Sequence, residues 1–366
     1  MKHMKFLSFF LGVTFSIVAC SSNNEIIPVP DVDPDGDDGT TEVEFAKGAD
    51  IGWVTEYESK GYNFYNAKGE QRECTALMKE LGLNAIRIRV WVDPSKHGNW
   101  CNTADVVEKA KRAKELGMDV MIDFHYSDWW ADPAQQNKPA SWVGKNLANL
   151  KSAIKDHTVS VLQALKTIGV IPKWVQVGNE IRPGMLWDED VALSGASYNV
   201  TEKDLKDAPA SATDKVVYPM NWANLGAFVT TGYDAVKSVF PDAIVIVHLD
   251  NGWDSGLFTW FFDELKKNGG KWDMIGMSLY PYWSRDAKEG YSSADAVITD
   301  CISNIKALST KYNCDVMVVE TGMECADDNG KLASNSVLNE GKRQLARILK
   351  ECKAVSYTHL TLPTIR

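Results

Sequence analysis

Two glutamates stand where an apolar, β-rich run gives out. Trp174-Val175-Gln176-Val177-Gly178-Asn179-Glu180 closes on Asn-Glu, and Val316-Met317-Val318-Val319-Glu320-Thr321-Gly322 closes on Glu. Opposed carboxyl groups of this kind can open an acetal. One protonates the leaving oxygen, and the other attacks the anomeric carbon or activates water. At the ~5 to 5.5 Å separation of a pair that forms a covalent intermediate, ionising one carboxyl raises the pKa of the other. The surroundings then decide which keeps the proton. Arg87 and Arg89 in Ile86-Arg87-Ile88-Arg89-Val90 are two apart, so on a strand both point the same way. A guanidinium beside a carboxylate favours its ionised form. We expect Arg89 next to Glu320, with Arg87 equally suited to an ion pair lower in the sheet.

Further polar and aromatic residues follow other apolar runs. Asn179 can hydrogen-bond the sugar hydroxyl beside the reacting carbon, and His125 and His248 can orient carboxylates or bind hydroxyls. Trp91, Trp130, Trp253 and Trp283 offer flat faces for sugar rings, with Tyr280 close to the last of them in sequence. Asp50, Asp128 and Asp250 are hydroxyl ligands in principle, although Asp250-Asn251-Gly252 is also a turn signal.

The elements that must position these side chains are legible as alternation. Short β-rich runs cover Ala46 to Ile51, Ala85 to Trp91, Asp119 to Phe124, Trp174 to Val177, Ala243 to His248, Met274 to Leu279 and Asp315 to Val319. Amphipathic stretches cover Glu70 to Leu81, Ala104 to Leu116, Leu147 to Ile168, Asn221 to Val239, Phe258 to Lys267, Ala294 to Tyr312 and Asn339 to Cys352. Strand and helix in turn imply right-handed βαβ units and a parallel sheet. A doubly wound sheet would usually carry a G-x-G-x-x-G loop, which is absent. Chemistry-bearing residues instead follow nearly every run, which suits the C-terminal mouth of an α/β (β/α)8 TIM barrel. The runs fall one short of eight. From Val355 the text loses helical periodicity, so the eighth strand and helix are expected to be lacking and residues 355–366 to be a non-native tail.

Several blocks carry a resemblance. Gly48-Ala49-Asp50-Ile51, Ile86 to Pro94, Asp123-Phe124-His125-Tyr126-Ser127-Asp128 with Trp130-Ala131-Asp132-Pro133, Gln176 to Glu180, and Ser278-Leu279-Tyr280-Pro281-Tyr282-Trp283 are similar to family 53 of the glycoside hydrolases. The likeness runs from about Phe45 to Ala354. It implies endo-hydrolysis of β-1,4-galactan with retention, Glu180 as acid/base and Glu320 as nucleophile. Arg89, Asn179, His125, Trp91, Asp128, Trp130, His248, Tyr280 and Trp283 become substrate-binding candidates. The same two glutamates and arginine would serve an endo-β-mannanase or endo-glucanase of the same clan. A glycan-binding protein without chemistry would not need the opposed pair.

Composition sets the remaining bounds. The 366 residues are 45% hydrophobic and 24% charged, with 26 Gly and 13 Pro, which excludes collagen, coiled coil and wholesale disorder. A net charge of −10 argues against a nucleic-acid partner. Residues 1–44 hold two lysines against eight acids, so the remainder is only mildly acidic. Lys2 and Lys5 precede an apolar run from Phe6 to Ala19, too short to span a bilayer and shaped like an export signal. It ends Ile17-Val18-Ala19-Cys20, which resembles a bacterial lipobox with Cys20 as the lipidated residue. Residues 21–44 read as an acidic flexible linker. An exported, outer-membrane lipoprotein is expected, touching the membrane through its anchor only, monomeric, with a polysaccharide substrate. The other six cysteines show no C-x-x-C spacing, and no H-x-H, H-E-x-x-H or EF-hand pattern occurs. No metal and no cofactor are expected, and disulfide pairing cannot be read from spacing.

Overall fold

The computed structural model describes residues 45–133, 135–187, 222–287, 293–323 and 331–356. Cys20, the 1–44 segment, Cys325 and residues 357–366 lie outside the described residues.

Seven parallel strands form the central sheet: β1 (Gly48–Asp50), β4 (Ala85–Val90), β5 (Asp119–Phe124), β6 (Trp174–Val177), β7 (Ile244–Leu249), β8 (Met274–Leu279) and β9 (Asp315–Thr321). They pair in that order, each with its neighbour in sequence, and close most of the way into a barrel. All seven expected strands are present, and the fold is of the (β/α)8 type. A two-stranded hairpin, β2 (Phe64–Tyr65) and β3 (Gln71–Arg72), stands apart from it. The hairpin corrects the expected helix from Glu70, which begins only at α2 (Cys74–Glu80), where Glu73 accepts from the Ala76 N–H as a cap.

Two classes of side chain sort by strand parity. Outward-facing Ile86, Ile88, Val90, Ile122, Phe124, Val175, Val177, Val245, Val247, Ile275 and Leu279 pack under the helices. The lower barrel interior holds a second apolar cluster that includes Ala85, Met121, Trp174, Ile246, Met274 and Met317. Two or four residues further along the same inward columns come Arg87, Arg89, Asp123, Gln176, His248 and Ser278. The barrel is thus apolar at its base and polar at its mouth.

One strand breaks this parity. The β8/β9 register runs Met277 to Val318 and then Ser278 to Glu320, so Val319 is an extra residue, a β-bulge. Strict alternation after inward Met317 would send Glu320 outward among the helices. The bulge resets the phase and lines Glu320 up with Ser278 at the mouth. Gly276, inward on β8, leaves the room. A Cβ there would lie 2.7 Å from Ile246 Cγ2 and 3.3 Å from Val319 Cγ1.

The outer layer consists of α3 (Thr103–Glu115), α4 (Leu147–Thr167), α5 (Trp222–Val239), α6 (Ser255–Lys267), α8 (Ala294–Tyr312) and α9 (Asn335–Ser356), together with α2. Short side chains start several of them. Asn102, Asn146, Asp254 and Ser293 accept from the N–H groups of Asp105, Asn149, Leu257 and Ala296. On α4, Leu150, Ile154, Val161, Leu162 and Leu165 recur at helical spacing and are buried on one face. Short helices α1 (Val54–Ser59) and α7 (Pro281–Ala287) follow β1 and β8 and were not apparent from periodicity. Helix α9 continues through Ser356, and Val355 is buried in the core, so the change of character read at Val355 begins later.

Filling the inward gap should be costly. Gly276→Ala is expected to lower stability by about 1–3 kcal/mol through overpacking against Ile246 and Val319. The measurement is a denaturant titration, in which the midpoint should fall with the slope unchanged.

Candidate active site

Arg87 is the hub of the barrel mouth. Its Nη2 lies 2.7 Å from Glu320 Oε1 and 2.9 Å from Asp123 Oδ2, and it donates to Asn179 Oδ1 (2.8 Å) and Gln176 Oε1 (3.2 Å). Its Nη1 donates to Asp50 Oδ2 at 2.8 Å. The other Glu320 oxygen, Oε2, accepts from the Tyr280 hydroxyl at 3.0 Å. The cation beside Glu320 is therefore Arg87, not the expected Arg89. Arg89 is one pleat nearer the rim, 3.3 Å from Asp50 Oδ1, with its guanidinium 4.2 Å above the Trp130 ring and 5.4 Å from Trp91.

Glu180 sits on the opposite arc, in a tight turn after β6. Gly178 at φ 84° and Glu180 at φ 47° are both left-handed. A Cβ at Gly178 would lie 2.5 Å from Ile181 Cγ2, so only glycine fits there. The turn is clamped from three sides. Gln136 Nε2 donates to the Asn179 carbonyl (2.8 Å), Asn179 Nδ2 donates to the Ala131 carbonyl (2.8 Å), and the Ile181 N–H donates to the His248 carbonyl (3.0 Å). Glu180 Oε1 accepts from the Ser278 hydroxyl at 2.5 Å. Ser278 Oγ in turn lies 2.8 Å from His248 Nε2.

The electrostatics of the two glutamates differ. Burial comes first among the causes that push the Glu180 carboxyl well above the ordinary carboxylate range. The Glu320 charge and then Asp250 and Asp132 add to it, against the Ser278 hydroxyl. Burial also raises Glu320, but there Arg87 works directly against it and the Tyr280 hydroxyl helps. Among the described residues no cation contacts Glu180, so it is the carboxyl that keeps a proton. Burial would raise Asp123 and Asp50 as well, yet the arginines win and both lie below their usual value. Burial, then the Arg87 charge, holds the His248 imidazole neutral, well below the ordinary histidine range.

Other expected residues take different places. His125 is buried, accepts the Ala131 N–H at Nδ1 (2.9 Å) and has Nε2 2.9 Å from Asp123 Oδ2, so both ring nitrogens are engaged within the protein. The Asp128 oxygens accept from the Asp93 and Ala140 N–H groups at 3.0 and 2.8 Å, which ties two loops together rather than presenting a carboxylate to the cleft. Trp91 is 2% exposed beneath Trp129, whose ring centroid is 4.4 Å away, and offers no open face. Trp130 is half-buried, Trp253 packs against the core, and Trp283 is 46% exposed on α7. Asp250, read as a turn residue, is buried in a two-pronged pair with Arg182, 2.8 Å at both contacts. Parity with flagged neighbours would have found Asp123, Gln176 and Ser278 among the inward columns. No sequence signal joins Arg182 to Asp250 across 68 residues. Among the described residues no metal-binding cluster of His, Cys, Asp and Glu occurs, and Cys74, Cys101, Cys301 and Cys314 are free thiols.

Residues 46–358 match glycosyl hydrolase family 53. The chain belongs to that family. Family membership makes it a glycoside hydrolase and its barrel mouth the catalytic face. It is similar to an uncharacterised protein of Niallia circulans (36% identity; 76% of this chain, 68% of the relative). It is also similar to an arabinogalactan endo-beta-1,4-galactanase of Thermothelomyces thermophilus (32% identity; 75% of this chain, 73% of the relative). Among solved structures, a fungal beta-1,4-galactanase superposes with a TM-score of 0.68 at 28% identity, over 85% of this chain and 86% of its own.

The two arginines of this family 53 chain should separate in a pH profile. A nucleophilic Glu320 must be ionised, and Arg87 favours the ionised form. Arg87→Gln should therefore move the acid limb of kcat/KM to higher pH and cut kcat by about 10²–10³. Arg89→Gln should leave the acid limb in place, because its guanidinium pairs with Asp50 instead.

Proposed function

We propose that this protein hydrolyses internal β-1,4-galactosidic bonds of galactan and type I arabinogalactan with retention of anomeric configuration. The observation that carries the reading is the asymmetric pair: Glu320 contacted by Arg87 and Tyr280, and Glu180 contacted by Ser278 with no cation beside it among the described residues. Family membership and the arabinogalactan endo-beta-1,4-galactanase from Thermothelomyces thermophilus support the substrate class.

In the first step Glu320 attacks the anomeric carbon as Glu180 gives its proton to the departing glycosidic oxygen. A covalent glycosyl-enzyme and a shortened chain result. In the second step Glu180, now a carboxylate, takes a proton from water. That water displaces Glu320, and both carboxyls return to their starting states. One remaining N–H of Asn179 Nδ2 is positioned for the hydroxyl beside the reacting carbon, since the Asn179 oxygen is held by Arg87 and Gln176. Arg87 spans both steps by compensating the charge that Glu320 gains and loses. We read residues 1–44 as an export signal ending at a lipidated Cys20 followed by a spacer, which would tether the enzyme to the outer membrane.

Purified enzyme should release oligosaccharides from linear galactan and leave mannan and carboxymethylcellulose intact. Cleavage of mannan or cellulose but not galactan would assign it to another activity of the clan. Glu320→Ala should abolish turnover while oligosaccharide binding persists. Glu180→Gln should lose about 10²–10⁴-fold on galactan yet stay active on a dinitrophenyl glycoside, whose leaving group needs no proton.

A further inference from the structure

We infer that Ser278 is a positioning residue whose hydroxyl, oriented by His248, places the transferable proton of Glu180 on Oε2. The inference rests on the reading of Glu180 as acid/base. A carboxylic acid has two oxygens, and only a proton on the one facing the leaving group is of use. Nothing in a free carboxyl selects it. The hydrogen-bond chain behind Glu180 does.

The chain has a direction that can be followed from its far end. Gln176 cannot flip, because its Oε1 accepts from Arg87 Nη2 and its Nε2 donates to Asp123 Oδ1 at 2.6 Å. Gln176 Nε2 also faces His248 Nδ1 at 3.0 Å, and the Glu180 N–H approaches the same nitrogen at 3.4 Å. Among the described residues the acceptor near Nδ1 is Asn179 Oδ1 at 3.1 Å, already taking a hydrogen bond from Arg87. The Glu180 N–H donates to Nδ1 and so makes it the lone-pair nitrogen, and a neutral ring then carries its hydrogen on Nε2. Nε2–H donates to Ser278 Oγ at 2.8 Å, so the serine proton points on to Glu180 Oε1 at 2.5 Å. A proton on Oε1 would confront the serine proton with no acceptor between them, so the acid proton sits on Oε2.

Atoms balance over the cycle. The proton leaves Oε2 for the glycosidic oxygen as the Glu320–carbon bond forms. The proton of the attacking water returns to Oε2 as that bond breaks. Ser278 keeps its own proton throughout and strengthens its bond to Oε1 while Glu180 is charged.

The experiment is a pH profile of kcat/KM on galactan for Ser278→Ala. The charged and titratable groups around Glu180 are Glu320 from β9, Asp250 after β7 with its partner Arg182, Asp132 after β5, Tyr280 after β8 and His248 from β7. All of them remain in the variant. Loss of a donor to the carboxylate raises the pKa of Glu180, so the alkaline limb should move to higher pH. The maximum should fall about 10–100-fold, part of the effect of general acid catalysis. On a dinitrophenyl glycoside the change should stay within about threefold, because that leaving group needs no proton. Ser278→Thr, which keeps a hydroxyl, should hold the limb in place. Should the alanine variant not fold, Ser278→Cys, with its weaker donor, should show a smaller shift of the same sign. An alkaline limb that moves down would mean that Ser278 accepts from Glu180, and one that does not move would mean a structural role only. Either overturns the inference. If Glu180→Gln itself keeps normal activity on galactan, the acid/base assignment fails, which is a separate result.

Discussion

A single buried guanidinium sets the arrangement of the barrel mouth. Arg87 lies within 3.2 Å of oxygens from Asp50, Asp123, Gln176, Asn179 and Glu320, which come from β1, β5, β6, the turn after β6 and β9. Buried charge is expensive, and an unpaired carboxylate at this depth would neutralise itself. Grouped on Arg87, with Arg89 also on Asp50, Asp123 and Asp50 stay ionised, and Glu320 is held closer to ionisation than burial alone would leave it. Glu180 lies off this cluster. The proposed division of labour between two chemically identical side chains follows from which one the arginine can reach.

Reach depends on register. The inward columns place an apolar layer low in the barrel and a polar layer above it, so a side chain's height and facing follow from its position along the strand. On β9 Glu320 needs a correction, supplied by the bulge at Val319 and the space left by Gly276. On the other arc the left-handed turn at Gly178 and Glu180 does the equivalent work. It turns the chain back so that Glu180 reaches Ser278 while Asn179 reaches Arg87. Two local departures from regular strand geometry therefore stand at the two carboxyls, where a rigid sheet must aim side chains it would otherwise misdirect.

Much of this was legible in the chain. All seven strands follow from apolar runs bounded by turns, and both glutamates from their places at the ends of such runs. Parity also told that Arg87 and Arg89 share a face, but it says nothing of which is level with Glu320, because the answer depends on a bulge that no residue type announces. The fates of His125, Asp128 and Trp91 were hidden for another reason. Apart from Asp123 beside His125, their partners are backbone groups and rings from loops, and loop conformation is not periodic. The hairpin of β2 and β3 was missed because Gln71 and Arg72 continue the helical pattern of α2.

The account's central claim, that Arg87 makes Glu320 the nucleophile and leaves Glu180 the proton, is tested most directly by trapping the covalent intermediate. The reagent is a 2-deoxy-2-fluoro galactobioside with a good leaving group, which slows the second step more than the first. Peptide mass spectrometry of the inactivated enzyme should place the sugar on Glu320. A sugar found on Glu180 would contradict the account.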